Sequence, residues 1–204
     1  MARKEKYLTI SSKVAGFFKD RGSKFHAFAY PVKTKEEGDR IKKALEKEFH
    51  DARHIVTAGA VGVEQTLYYC SDDGEPPNSS GPPVLREIKS KNVINVFVAV
   101  VRYFGGTKLG IPGLINAYGS AAQDALANAV IVEKNLKDKI IVNYEYDDTA
   151  KVMTLANREK LEIIDQEFGK ACKMILGVEM AKTAKIIKKL KSIQVDFELI
   201  EWKE

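Results

Sequence analysis

Val93 to Val101 is an almost unbroken apolar run rich in valine. It is far shorter than the roughly 18 apolar residues that cross a bilayer, and its β-branched side chains favour extended backbone. The run predicts a buried strand at the centre of a sheet. Its neighbours are legible on either side. Tyr7, Leu8 and Ile10 form one short apolar stretch and Val14 to Phe18 another. Asp20-Arg21-Gly22-Ser23 then supplies a turn, and Phe25, Ala27 and Ala29 alternate with Lys24, His26 and Phe28 as a strand does. Thr34 to Phe49 predicts a helix: Thr34 can cap it, Glu36 and Glu37 suit its first turn, and Ile41, Ala44, Leu45 and Phe49 share a face. Ile55 to Val63 and Thr66 to Ser71 read as two more strands.

Two loops frame the central strand. Asp72 to Pro83 carries four of the six prolines and predicts a loop, followed by a short helix through Lys89. Beyond the strand, Arg102 to Gly110 reads as a second loop, rich in glycine, with Pro112 as the first residue of the next helix. Leu114, Ala117, Tyr118, Ala121, Ala122, Ala125 and Leu126 make that helix's apolar stripe. From Lys139 the pattern changes. Strands at Ile140–Tyr146, Leu161–Phe168, Ala171–Gly177 and Val195–Trp202 alternate with helices starting at Asp147 and at Met180, the latter with Ala184, Ile187 and Leu190 inward. That order is βαββαβ, the split βαβ or ferredoxin-like arrangement. The charged stretch from Glu133 to Asp138 reads as a connector, so the expected domains are residues 1–135 and 136–204 of an α+β protein.

Composition narrows the functional class. With 45% hydrophobic and 30% charged residues among 204, the chain is neither disordered nor collagen-like and has apolar material for two cores. Its two cysteines, Cys70 and Cys172, lie far apart, which excludes a disulfide scaffold and a four-thiolate zinc site. The charged N-terminus is followed by no apolar signal segment, so a soluble, cytoplasmic protein with no membrane partner is expected. The net charge is +5, and all of it falls in residues 1–135, where 20 Lys and Arg face 15 Asp and Glu; the remainder is balanced at 13 each. Such an excess permits contact with a phosphate backbone or an acidic partner.

Several groups can carry chemistry. Asp72, Asp73 and Glu75 place three carboxylates in four residues, a pattern that serves a divalent cation or acid–base work, or simply a turn built on Asx hydrogen bonds around Gly74. His50 and His54 are spaced as two zinc ligands on one helix would be, without a third ligand in view. Arg53 and His54 stand at the mouth of a strand. Gly105, Gly106, Lys108 and Gly110 precede a helix start, where glycines, a lysine and the helix dipole can receive an anion or merely shape a tight crossover; the pattern is neither a Walker loop nor a dinucleotide fingerprint. Cys70 is a nucleophile with His54 as base, or a small buried strand residue. Lys182, Lys185, Lys188, Lys189 and Lys191 give the last helix a basic face that suits RNA phosphates or solvent.

Three of these motifs together resemble the IMPACT/YigZ family: Ser71-Asp72-Asp73-Gly74-Glu75-Pro76, then Arg102-Tyr103-Phe104-Gly105-Gly106-Thr107-Lys108-Leu109-Gly110, then Gly113-Leu114 with Ala117-Tyr118. Ser23-Lys24-Phe25 and Asp51-Ala52-Arg53-His54 fit as well. The likeness covers about residues 20 to 130, and the remainder resembles the C-terminal domain of the bacterial YigZ-type members. It implies a first domain like the second domain of ribosomal protein S5 and a second like the last domain of elongation factor G. Eukaryotic members regulate translation by binding the activator of a stress kinase through an extra N-terminal domain; with the shared region starting near residue 20, that partnership is not expected here. The chain departs from the family pattern at Pro77 to Ser80, at Ile55 to Thr57, and at Ile111-Pro112.

The resulting expectation is a non-enzymatic factor, associated with RNA or the ribosome or holding a phosphate-bearing ligand, linked to translation or its regulation. It needs no cofactor and no resident metal. The alternative is a metal-assisted hydrolase using the Asp72–Glu75 loop with His54. The expected binding residues are Arg53, His54, Asp72, Asp73, Glu75, Arg102, Tyr103, Gly105, Gly106, Lys108 and Gly110, arranged as carboxylates on one wall and Arg102, Lys108 and a helix start on the other. Arg102 and Lys108 are read as exposed, so alanine at either position is expected to weaken binding with little change in melting.

Overall fold

The computed structural model describes residues 5–63, 65–169 and 171–200. They divide into two compact units, residues 7–134 and residues 5–6 with 135–200. The first unit follows from its central strand. Strands β1 (Lys6–Ile10), β2 (Val14–Asp20) and β3 (Ser23–Pro31) lead to helix α1 (Lys35–Glu48), then β4 (His54–Val61) and β5 (Leu67–Ser71). Helix α2 (Gly81–Ser90), strand β6 (Val96–Tyr103), helix α3 (Gly110–Ala127) and strand β7 (Ile131–Asn135) complete it. The main sheet has the order β2-β3-β6-β4-β5, with every neighbouring pair antiparallel. Strand β6 is therefore the middle of five, and all its residues but Tyr103 are buried.

Register assigns the two faces. Phe25, Ala27 and Ala29 point toward α3, where Phe25 meets Tyr118 edge-on at 5.1 Å. Phe28, Phe97, Ala99 and Val101 join Leu45, Ile41 and Phe49 of α1 and its C-terminal turn on the other face. Thr34 caps α1 as expected, accepting from the Glu37 N–H.

Several boundaries differ from the sequence reading. Strand β6 begins at Val96 because Asn95 takes a positive φ of 58°, while its side chain accepts from the Gly62 N–H and its carbonyl from Val32. It ends at Tyr103, so Arg102 and Tyr103 are strand residues paired to β3 and β4, not part of a loop. The proline loop closes at Ser80, since Pro82 and Pro83 fit the first turn of α2, where no N–H is needed. Pro112 is the third residue of α3 rather than the first. The charged connector is strand: β7 pairs with β1, a partner more than a hundred residues away that local sequence does not announce.

In the second unit, β8 (Lys137–Glu145), a 3-10 turn (Tyr146–Asp148), α4 (Thr149–Arg158), β9 (Glu162–Glu167), β10 (Ala171–Glu179), α5 (Met180–Ser192) and β11 (Asp196–Ile200) follow in turn. The sheet order is β11-β8-β10-β9, antiparallel throughout. One core built on Val142, Met174, Leu155 and Ile186 collects both helices on one face. The end of the last expected strand, at Glu201 and Trp202, lies outside the described residues. On α5 the inward residues are Thr183, Ile186 and Leu190, whereas Ala184 is exposed. The cause is polar: the Thr183 hydroxyl donates to buried Asp138 at 2.7 Å, which turns the helix by about one position. No helix among the described residues is long and apolar enough to cross a membrane.

Candidate functional site

Sheet direction brings the expected loops together. Strands β5 and β6 run the same way because each is antiparallel to β4, so their C-terminal ends and the start of β4 share one edge. A cleft of about 510 Å³ opens there, lined by Arg53, His54, Glu75, Arg102, Phe104, Lys108 and the first turn of α3 among others. Arg53 and Lys108 are exposed and His54 is half-buried. The His54 Nδ1–H donates to the Asp73 carbonyl at 2.7 Å, which fixes the ring and its tautomer.

Glu75 and Arg102 form the floor of the cleft, and with Tyr118 beneath them they make a polar triad inside an apolar shell. Arg102 Nη1 donates to Glu75 Oε1 at 2.5 Å, and the Tyr118 hydroxyl donates to the same oxygen at 2.6 Å. The Arg102 guanidinium also lies 5.6 Å from the Phe25 ring and 5.7 Å from the Phe104 ring. The residues are 8%, 8% and 0% exposed for Glu75, Arg102 and Tyr118. The Tyr118 phenol is pushed far above its usual range by burial and then by the bond and charge of Glu75, so it stays a donor. Among the described residues Arg102 Nε, also buried, has no hydrogen-bond partner.

This corrects the picture of two opposed walls. Arg102 and Glu75 neutralise each other across the floor, and Arg102 is not an exposed charge whose loss would spare stability. The cations left open to the cleft are Arg53 and Lys108, beside the start of an 18-residue helix whose N-terminus carries partial positive charge. Pro112 removes one of the N–H groups there.

The other two carboxylates are structural. Asp72 accepts from the Ser80 hydroxyl and from the N–H groups of Asn78, Ser80 and Gly81, holding the loop and the start of α2. Asp73 pairs with Lys42 and accepts from the Ile55 N–H, each at 2.7 Å. Each of the three acids thus already serves a partner within the fold, and among the described residues no three His, Cys, Asp or Glu converge as metal ligands would. Burial would raise the Asp72 carboxyl, but the Ser80 hydroxyl and the three backbone donors outweigh it and hold it below its ordinary 3.8. A carboxyl depressed by folding contributes stability above its unfolded value, and the contribution is lost as pH falls through the folded value. Asp72→Ala is therefore expected to cost about 2 kcal/mol at pH 7 and progressively less as pH falls below 3.8, as urea unfolding at pH 7 and along an acid series will read; a loss that does not change with pH would refute the assignment.

The remaining expected residues divide. The Tyr103 hydroxyl donates to Asp51 at 2.8 Å, and its ring lies on the opposite sheet face, 6.0 Å from His26. The Gly105 N–H donates to Ser23 Oγ, so it is committed to the β2–β3 hairpin and not open to an anion. Gly106 and Gly110 adopt φ of 89° and 71°, which lets the chain turn into α3. His50 follows the end of α1 and His54 begins β4, so they do not share a helix. Cys70 is an exposed residue, and partial desolvation of its sulfur followed by the Asp72 charge raises the thiol, the reverse of nucleophile activation. On α5, Lys185 and Lys189 pair with Glu159, whose carboxyl they hold down at about 2, and Lys182 pairs with Glu179; two carboxylates thus offset part of the charge of that five-lysine face. Sequence reasoning missed Tyr118 as a site residue. Its signal was a phenol within a stripe otherwise of alanine and leucine, since a buried hydroxyl needs a partner.

These observations define a two-unit α+β protein whose first unit concentrates its loops at one sheet edge. Residues 21–126 match the Impact N-terminal domain. YigZ of Escherichia coli, an IMPACT family member, is 30% identical over 151 residues, 72% of this chain and 74% of that one. The chain belongs to the IMPACT family. The family member YvyE of Bacillus subtilis is 31% identical over 130 residues, 64% of this chain; the match spans only 60% of that relative's length. A solved crystal structure of a hypothetical protein superposes on 99% of this chain and 100% of its own, with 25% identity and a TM-score of 0.79.

Proposed function

We propose that this protein is a non-enzymatic RNA- or ribosome-associated factor acting in translation or its regulation, and that the cleft at the edge of the first sheet seats a phosphate of its ligand. The observation that carries the reading is the cleft's charge. Among the described residues its one lining carboxylate is neutralised by Arg102 and bonded by Tyr118, while Arg53, Lys108 and the start of α3 supply positive charge with no carboxylate bound to it. Such a site attracts a phosphate. The excess charge of +5 in residues 1–135 acts in the same sense.

Fold likeness supports the choice of ligand. The first unit is read as an S5 domain 2-like fold. The second, with its order β11-β8-β10-β9 and both helices on one face, is read as a ferredoxin-like fold resembling the last domain of elongation factor G. Both likenesses are to components of translation, and eukaryotic members of the family regulate it.

Binding through phosphates weakens as salt rises, because counterions released by the protein enter a more concentrated solution and gain less entropy. The protein is expected to co-sediment with ribosomes or to bind structured RNA at low salt and to lose that binding steeply as salt rises. Lys108→Ala is expected to weaken it by several-fold while changing stability by less than about 0.5 kcal/mol, because the side chain is exposed. Failure of the wild-type protein to associate with either at low salt overturns the reading.

A further inference from the structure

The face of the first sheet that packs on α1 is only partly covered, and its β2 side remains open. Register places Lys13, Phe17 and Lys19 on this face beside Lys24, His26 and Tyr103 of the next two strands. Phe17 is 46% exposed. Its ring lies 4.9 Å from that of His26, which in turn meets Tyr103 at 6.0 Å, so three rings form a row across β2, β3 and β6. Cations flank the row on either side along the strands, and the Asp51 carboxylate, which accepts from the Tyr103 hydroxyl, stands at its β6 end. Lys13 lies over the Phe28 and Tyr30 rings at 5.2 and 5.1 Å. Lys19 and Lys24 sit directly opposite each other in the β2–β3 register.

That last pairing is informative. Like charges directly opposite on neighbouring strands destabilise a sheet, and a single edge lysine already suffices to discourage strand pairing with another chain. Two facing lysines are explained if an anion lies between them. An exposed aromatic next to them is explained if the anion belongs to something with flat apolar rings. Burial, followed by the Lys24 charge, keeps the His26 imidazole below its ordinary 6.5, so the ring is neutral at pH 7 and free to stack.

We infer that the open strip on β2, β3 and β6 is a platform for single-stranded RNA, in which unpaired bases stack on Phe17, His26 and Tyr103 while Lys13, Lys19 and Lys24 follow the backbone. Rings that accept any base face, flanked by cations, are the chemistry of sequence-tolerant single-strand binding. The inference takes its ligand class from the RNA reading above and adds a surface separate from the cleft, on the opposite face of the sheet.

The test is fluorescence anisotropy with a labelled oligouridine of about ten nucleotides, within the usual site size of such surfaces, against a blunt RNA duplex of the same length. Phe17→Ala and the pair Lys19→Ala/Lys24→Ala are each expected to weaken oligouridine binding by about tenfold. Phe17→Trp is expected to retain it, and its indole fluorescence, read in a Trp202→Phe background, to be quenched on binding. Phe17→Ala is expected to leave duplex binding unchanged. Phe17, Lys19 and Lys24 are exposed, so substitution there does not put folding at stake. Oligouridine binding by Phe17→Ala within about twofold of wild type overturns the platform, as does equal weakening of the duplex, or binding of phosphatidylserine vesicles with the same Phe17 dependence and no binding of oligouridine. If wild type ignores oligouridine yet sediments with ribosomes through Lys108, the platform falls and the cleft reading stands. If it binds neither, both fall.

Discussion

Arg102→Met is expected to lower the stability of the first unit by about 3–5 kcal/mol, because it strands a buried carboxylate. The Arg102 and Glu75 side chains are only 9% and 4% exposed, and both Arg102 Nη1 and the Tyr118 hydroxyl converge on one Glu75 oxygen. Without Arg102 the carboxylate keeps one donor and loses its countercharge. Adding Glu75→Gln to Arg102→Met removes the orphaned charge while leaving an amide oxygen for Tyr118. The double variant is therefore expected to recover a substantial part of the loss, which a change in packing alone would not allow. Urea unfolding followed by circular dichroism gives both values. A loss under about 1 kcal/mol for the single variant, or a double variant less stable than the single, would show that the pair does not hold the floor of the cleft.

That prediction reverses the one the sequence invites, and the reason is specific. Arg102-Tyr103 precedes two glycines, so local sequence suggests a loop and an exposed cation. What makes them strand residues is pairing with Phe25 and Lys24 on one side and, for Arg102, with His54 on the other. Those partners are some fifty to eighty residues distant, and no local pattern records them. The apolar run from Val93 to Val101 placed Arg102 and Lys108 together at one strand end, but that Glu75 and His54 join them depends on β4 pairing antiparallel with both β5 and β6. The neutralisation of Glu75 was not legible, since it depends on Tyr118 reaching across from α3. Asp72 was ambiguous for another reason. A carboxylate that captures four donors of its own loop and one that captures a cation have the same sequence, and only the direction of Asn78, Ser80 and Gly81 N–H groups separates them. In the second unit the element order was readable from alternation and helical stripes. The phase of α5 was not, because a buried Thr183–Asp138 bond set it.

Gly105→Ala is expected to be nearly as costly as losing Arg102, for a different physical reason. A Cβ at this position would lie 1.9 Å from the Gly22 carbonyl carbon, 2.1 Å from the Ser23 nitrogen and 2.4 Å from the Gly22 oxygen. These are backbone atoms, and no rotamer change clears them. Gly22 is itself pinned, with φ of 81° beside Arg21 at 43° in a two-residue hairpin turn. One segment must move, and the segment with fewer strand bonds is the loop from Phe104 to Leu109. Overpacking of this kind costs about 1–3 kcal/mol, and the Gly105–Ser23 hydrogen bond adds about 1 kcal/mol to the loss. Displacing the loop also moves Phe104 and Lys108, so the RNA binding proposed for the cleft is expected to weaken together with stability. Gly106→Ala separates contact from conformation. An added Cβ there meets nothing within 4 Å, and only its φ of 89° is unfavourable, so its cost is expected to stay near 1 kcal/mol. Urea unfolding of the two variants reads the difference directly: equal losses would mean that backbone conformation, not the approach of Gly105 to Gly22, anchors the loop that carries Lys108.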